Sequence, residues 1–304
     1  MNIVVTGADG FVGQHVVKQA LQAGHEVRGI RRSASPADPA STLVADLTER
    51  WPVPEPPDGI IHLASLAAVG RSFDAPQEYI SANTAMLTRI GEGLLAAGTP
   101  RTRVIVVSTG ALYSPGRGPA DESRPLAMSS PYAVSKGAVE LQCAYYRSRG
   151  IDMVIVRPFN HIGPGQSKGF LVPDLVDAVD ALSGDAPLRV GNLDTRRDYT
   201  DVRDVAAAYV GLLEAPQVSP VYNIASGRSL SGREILEAAC RSLGREVPQT
   251  IVDASRIRPT DPQEIVGDAS LIRRELGWAP KIGYEQSIAD FVASRRPAVA
   301  ADRA

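Results

Sequence analysis

Cysteine and lysine are scarce in this chain of 304 residues, which has 2 of the first and 4 of the second. Two cysteines cannot build a disulfide framework. Cys143 and Cys240 both fall in helical patterns, so they read as reduced core thiols of a cytoplasmic protein. A basic excess is missing too. The 32 Lys and Arg stand against 34 Asp and Glu, for a formal charge of −2. Nothing is left over to drive phosphate-backbone binding, so nucleic acid is not an expected partner. No uninterrupted apolar run reaches the ~18 residues of a membrane span. The first strand-like run begins at Asn2 and leaves no room for a signal peptide. His15, His25, His62 and His161 lack metal-ligand spacing, so no metal is expected. The composition that remains, 44% hydrophobic and 22% charged, is that of a soluble globular protein with a large core. At roughly 100–200 residues per domain, the length points to two lobes.

The pattern along the chain is of buried strands alternating with helices. Strands are expected at Asn2 to Thr6, His25 to Ile30, Val44 to Asp46, Gly59 to Ala64, Arg103 to Ser108 and Asp152 to Arg157. Helices are expected at Phe11 to Ala23, Ala75 to Gly98 and Pro131 to Arg149. Ser33 to Ser41 holds two prolines and little periodicity, and reads as a loop. This order predicts an α/β fold, a Rossmann-type doubly wound parallel sheet. After Pro158 strands shorten and Gly/Pro turns multiply. Helical patterns recur at Phe170–Leu182, Val202–Leu213, Gly232–Leu243 and Leu271–Leu276. They predict a smaller α/β C-terminal lobe that binds substrate. Residues 1–160 with about 198–226 form the expected dinucleotide lobe, and about 161–197 with 227–296 the substrate lobe. Residues 297–304 are an expected frayed tail.

Gly7, Gly10 and Gly13, with Phe11 and Val12 between them, lie where the first strand turns into the first helix. Without Cβ atoms, such a turn bends sharply and lets a pyrophosphate approach the free N–H groups of the helix start. The second strand ends Arg31-Arg32-Ser33, with no acid before Asp38. An acid there would pair with the ribose hydroxyls of NAD, whereas guanidiniums accommodate the extra phosphate of NADP. NADP(H) is the expected cofactor and NAD(H) the alternative.

The scarcity of lysine gives weight to Tyr132-Ala133-Val134-Ser135-Lys136. With 9 tyrosines and 4 lysines, a Tyr-x-x-x-Lys pair arises by chance only about 0.12 times in such a chain. The spacing puts both side chains on one helix face. A tyrosine of pKa ≈ 10 is a poor acid–base at neutral pH. An ammonium about 4 Å away favours its phenolate, and desolvation opposes that shift. Just upstream, Ser108-Thr109 places a hydroxyl at the mouth of the fifth strand.

Thr6-Gly7-x-x-Gly10-x-x-Gly13, Asp46-Leu47, His62-Leu63-Ala64, Asn83, Ser108-Thr109 and Tyr132-x-x-x-Lys136 together resemble an extended short-chain dehydrogenase/reductase acting on nucleotide sugars. In the second lobe, the run from Arg157 to Gln166, that from Val190 to Val205, and Arg258-Pro259-Thr260-Asp261 are similar to the family's branch of GDP-4-keto-6-deoxy-D-mannose reductases. The resemblance implies Asp46 and Leu47 beside the adenine, Ala64 by the cofactor diphosphate, and Leu63 and Asn83 in the cofactor site. It implies Tyr132 as proton donor, with Lys136 holding the nicotinamide ribose and lowering the tyrosine's pKa. Thr109, four residues before Tyr113, matches the catalytic Ser/Thr better than Ser108 does. Asn160, Arg197 and Arg258 would bind the sugar nucleotide, and Ser72 is placed near it by position alone.

One departure narrows the reaction. Dehydratases of the family carry Asp-Glu directly after the catalytic threonine, where this chain has Gly110-Ala111. The leading expectation is therefore an NADPH-dependent 4-ketoreductase of a nucleoside-diphosphate 4-keto-6-deoxyhexose, with the GDP sugar first and a dTDP sugar second. A C4-epimerase and a non-catalytic NADP sensor are the remaining alternatives. Family helices of this kind pair into a four-helix interface, so a homodimer is expected.

Overall fold

A computed structural model describes residues 1–34, 41–98, 101–184, 186–257 and 262–295. Residues 35–40 of the expected loop, the expected tail and Arg258 lie outside them. Through the first half the elements run β1 (Asn2–Thr6), α1 (Phe11–Gln22), β2 (Glu26–Arg31), β3 (Leu43–Val44), β4 (Gly59–His62), α2 (Val69–Ser72), α3 (Pro76–Ala96), β5 (Arg103–Val107), α4 (Pro131–Ser148) and β6 (Asp152–Pro158). The second half adds β7 (Asn160–Ile162), α5 (Leu171–Asp180), β8 (Leu188–Val190), β9 (Arg196–Asp201), α6 (Val202–Glu214), β10 (Val221–Ile224), β11 (Ser229–Ser231), α7 (Gly232–Leu243), β12 (Thr250–Val252), β13 (Glu264–Ile265), α8 (Ser270–Leu276) and α9 (Tyr284–Arg295).

Seven parallel strands form the main sheet in the order β10-β6-β5-β4-β1-β2-β3. Their continuous apolar runs follow from burial on both faces: every residue of β4 is buried, as are six of the seven in β6. One face packs Val16, Ala20, Val205 and Tyr209 of α1 and α6. The other packs Leu87, Ile90, Val139 and Cys143 of α3 and α4. Strand β1 sits between β2 and β4, so the chain leaves β1 toward one side and reaches β4 on the other. That reversal opens a crevice at the carboxyl ends of β1 and β4, where doubly wound sheets take their ligands.

A third core lies apart from the main sheet. Val172, Val176, Ile235, Leu236, Ala239 and Phe291 bring α5, α7 and α9 together over β7, β8, β9 and β11. Strands β7, β9, β11 and β13 make a small mixed sheet. Both cysteines are free and buried.

Several elements differ from the sequence reading. Helix α2 has no counterpart in it, and β3 covers Leu43–Val44 where Val44 to Asp46 is expected. Strand β10 returns from the second half of the chain to complete the main sheet beside β6. Its four residues lie among short runs that look alike in sequence. Helix α9 escapes the sequence reading because it is weakly amphipathic, with Ser287 among its buried residues.

Candidate functional site

The glycine turn is held by backbone contacts. Gly7 sits at φ 67°, and its N–H donates to the Ile30 carbonyl at 2.9 Å. A Cβ on Gly13 would lie 2.1 Å from the Gly7 carbonyl oxygen, so no other residue fits there. Gly10 is different. A Cβ on it would meet only that carbonyl, at 3.2 Å, so packing barely demands glycine and the space above is open to a ligand. Gly10 is also the N-cap of α1 and gives it no side-chain cap, and the first turn carries no acid. The first N–H groups of the helix, at Phe11, Val12 and Gly13, are thus placed for an anion. The turn fits a dinucleotide's pyrophosphate.

Arg31 closes β2 with one guanidinium nitrogen 3.3 Å from the Asp9 carboxylate, and Arg32 is exposed beside it. The Asp46 carboxylate accepts from the Thr48 N–H at 2.9 Å and its hydroxyl at 2.7 Å. Those bonds, with the Arg32 charge, hold it below the usual range and ionised. The Leu47 side chain belongs to the core beneath, so only its backbone is placed to meet an adenine.

The sequence did not show what holds the end of β4. The Thr6 hydroxyl accepts from the Leu63 and Ala64 N–H groups at 3.2 and 3.1 Å, so its proton goes to His62 Nδ1 at 2.8 Å. Burial, then the Lys136 charge, pushes His62 down to about 3, so it stays a neutral acceptor. Asn83 is also a brace. Its oxygen accepts from the Leu66 N–H at 2.8 Å, and its amide donates to the Ser135 hydroxyl at 2.9 Å and the Leu66 carbonyl at 3.2 Å. Both ends are used by the protein, so Asn83 reaches a cofactor only through the 65–66 loop.

Ser130 caps α4, accepting from the Ala133 N–H, and Pro131 takes the first helical position. This start fixes Tyr132 in the first turn and Lys136 one turn on. Both are buried. The Tyr132 hydroxyl lies against the Thr109 side chain, whose oxygen accepts from the Ala111 N–H at 3.1 Å. Lys136 Nζ donates to the Val107 carbonyl at 2.8 Å. The expected lowering of the tyrosine's pKa is absent here. Desolvation pushes Tyr132 up to about 12 and Lys136 down to about 8, because each charged form is disfavoured by burial. The phenol is therefore a firmly held proton source.

Ser108 does not compete with Thr109 for this place. It is buried and donates to the Glu140 carboxylate at 2.6 Å. Ser72 corrects the positional expectation of a substrate contact. It is fully buried and donates to the Val69 carbonyl of its own short helix at 2.6 Å. Asn160 is exposed on β7 and pairs in register with Tyr199 of β9. Arg197 lies two residues before Tyr199, hence on the same face of that strand. The register thus puts Asn160 and Arg197 on the same face of the small sheet.

Residues 3–225 match the NAD dependent epimerase/dehydratase family. The GDP-6-deoxy-D-mannose reductase of Pseudomonas aeruginosa is 31% identical over 94% of each chain. The structure of RMD from Pseudomonas aeruginosa complexed with NADPH is 28% identical, with a TM-score of 0.82 over 96% of this chain and 98% of that one. The complex of the Thermus thermophilus UDP-glucose 4-epimerase with NAD is 27% identical, with a TM-score of 0.83 over 98% and 100%. On its glycine turn, its buried Tyr132–Lys136 helix and this match over most of its length, the chain belongs to the NAD dependent epimerase/dehydratase family.

Proposed function

We propose that this enzyme reduces the C4 ketone of a nucleoside-diphosphate 4-keto-6-deoxyhexose with NADPH, and that the GDP-linked mannose-type sugar is its substrate. The observation that carries the reading is the catalytic mouth itself. Tyr132 is buried beside the half-buried Thr109, with Gly110-Ala111 where dehydratases place two acids. A Cβ on Gly110 would come within 2.9 Å of the Phe159 ring, so the first acid has no room without moving Phe159. No acid directly follows Thr109 to do proton work at C5 and C6, while reduction needs only a proton donor at the C4 oxygen. The similarity to the Pseudomonas aeruginosa reductase supports the choice of sugar.

The Gly7–Gly13 turn would hold the cofactor diphosphate, Asp46 and Leu47 the adenosine end, and Arg31 with Arg32 the 2′-phosphate. A reduced nicotinamide bound there supplies the hydride. Tyr132 gives its phenolic proton to the oxygen that becomes the alkoxide, and the Thr109 hydroxyl steadies that oxygen. The Lys136 ammonium stabilises the phenolate left behind. Asn160 and Arg197, with Arg258, hold the sugar nucleotide, the arginines on its diphosphate. Residues 1–160 with about 198–226 serve the cofactor, and 161–197 with 227–296 serve the sugar nucleotide. The reaction takes place in the cytoplasm.

NADPH oxidation tests the assignment, run with GDP-4-keto-6-deoxy-D-mannose beside dTDP-4-keto-6-deoxy-D-glucose. Turnover on the GDP sugar is expected. Turnover on the dTDP sugar alone moves the enzyme to the other nucleotide class. No reduction, with NAD retained through purification, makes it an epimerase.

The proposal extends to a homodimer. Helix α3 packs on α4, and α4 leaves Val134, Leu141 and Tyr145 exposed seven and four residues apart, a single stripe. Leu141 is 75% exposed. Two copies joined along α3 and α4 would cover it. Light scattering at micromolar concentration should give the dimer mass, and Leu141→Glu the monomer mass. A monomeric wild type contradicts the interface.

A further inference from the structure

Phe11 is the first helical residue of α1, directly after the Gly10 cap. Its backbone belongs to the turn that faces the cofactor diphosphate, but its ring points to another part of the chain. His161 of β7 stacks on that ring at 5.8 Å and 21°. His15, one helical turn along α1, meets it edge-on at 6.0 Å and 88°. The same His15 puts Nε2 2.8 Å from the Pro164 carbonyl oxygen, and a carbonyl only accepts, so His15 is the donor. Gly165, at φ 87°, passes close enough that a Cβ on it would lie 4.0 Å from the Phe11 ring. His161 Nδ1 in turn lies 3.2 Å from the Phe159 carbonyl, and Gln166 donates to the His161 carbonyl at 3.0 Å. Burial lowers the pKa of His161, so the stacked ring is neutral. The segment 160–166 is therefore folded over one aromatic side chain. It starts at Asn160, and it is tied to α1 by a hydrogen bond as well as by stacking.

We propose that Phe11, His15 and His161 form a coupling element that transmits cofactor binding at the glycine turn to the segment bearing Asn160, with His15 as its positioning residue. A diphosphate drawn to the α1 N-terminus orders the Phe11 backbone. The ring is then fixed, and with it His161, Pro164 and the neighbouring Asn160. Cofactor binding thereby prepares the sugar-nucleotide side, and by reciprocity the sugar nucleotide tightens the cofactor. The role of Asn160 rests on the function proposed above; the contact between turn and segment does not.

Hydrogen exchange on the full-length protein, with and without saturating NADPH, tests the element in the absence of any sugar. NADPH should slow amide exchange across 160–166 in the wild type. It should do so in His15→Gln, whose side-chain amide keeps a donor toward Pro164. In His15→Leu the slowing should stop at the glycine turn. Phe11→Leu, which removes the stack without touching the Pro164 bond, should give the same loss and guards against misfolding of the first variant. Equal slowing in wild type and both leucine variants overturns the proposal, as does no slowing across 160–166 in the wild type. In turnover, His15→Leu should raise KM for the sugar nucleotide about tenfold, with kcat and the Kd of NADPH measured alone within about twofold. A matching loss of NADPH affinity would instead make His15 a support of the turn. Failure of the ketosugar reading appears as zero wild-type turnover and leaves the exchange result standing.

Discussion

Replacing Tyr132 by phenylalanine should lower kcat by about 10²–10⁴, the range of a general acid in place. The ring stays buried and the hydroxyl alone is lost, so the thermal midpoint and the Kd for NADPH should change little. A variant within tenfold of wild type would sink the assignment. The pH profile sharpens the test. With Tyr132 pushed up to about 12, the phenol keeps its proton at every practical pH. Lys136, pushed down to about 8, is an ammonium below that pH and a neutral amine above it. The competent form thus holds a protonated tyrosine and a charged lysine. It is lost as pH rises through about 8, and kcat/KM should be flat below and fall above. In Lys136→Arg, which cannot lose its charge in this range, whatever activity remains should show no such limb. A limb that survives in Lys136→Arg belongs to another group.

The second large effect is on stability. Beneath the catalytic mouth, Arg157 holds Glu140 with two parallel bonds, 2.9 Å from Nε and 2.6 Å from Nη2. It also donates to the Tyr113 hydroxyl at 3.0 Å, and its guanidinium lies 5.0 Å over that ring. Tyr113 passes its proton to Asn223 Oδ1 at 2.6 Å, and Asn223 donates to the carbonyls of Ala120 and Asp268. Glu140 and Arg157 are 8% and 6% exposed. Glu140→Ala removes the carboxylate and leaves a buried guanidinium and the Ser108 hydroxyl without it. The cost should be about 3–5 kcal/mol, a large share of the roughly 5–15 kcal/mol that holds a typical domain. A fall in Tm on the order of 10 °C is the readout. Replacing both partners, Glu140→Leu with Arg157→Met, should recover much of it, because no charge is then buried unpaired. A loss under about 1 kcal/mol for Glu140→Ala would mean water reaches Arg157. The two experiments separate cleanly: Tyr132→Phe stops turnover in a stable protein, whereas Glu140→Ala destabilises the scaffold.

Local rules made much of this molecule readable in advance. Strands β1, β4, β5 and β6 announce themselves by continuous apolar runs, α4 by the helical pattern that opens at Pro131, and the anion turn by glycines between strand and helix. Helix spacing alone put Tyr132 and Lys136 on one face. These features depend on neighbours a few residues away, so the order of residues determines them. Tertiary structure decided everything that depends on distant residues. It turned Ser108 to Glu140 and left Thr109 to Tyr132. It hid Ser72, spent both ends of Asn83 on a brace, and gave His62 to Thr6. It placed β10 beside β6, and it set the pKa values of Tyr132 and Lys136 by burial against the charge effect that their spacing implied. Burial and hydrogen-bond partners are set by which segments meet across the fold, and no pattern along the chain encodes that meeting at the resolution of a single hydroxyl.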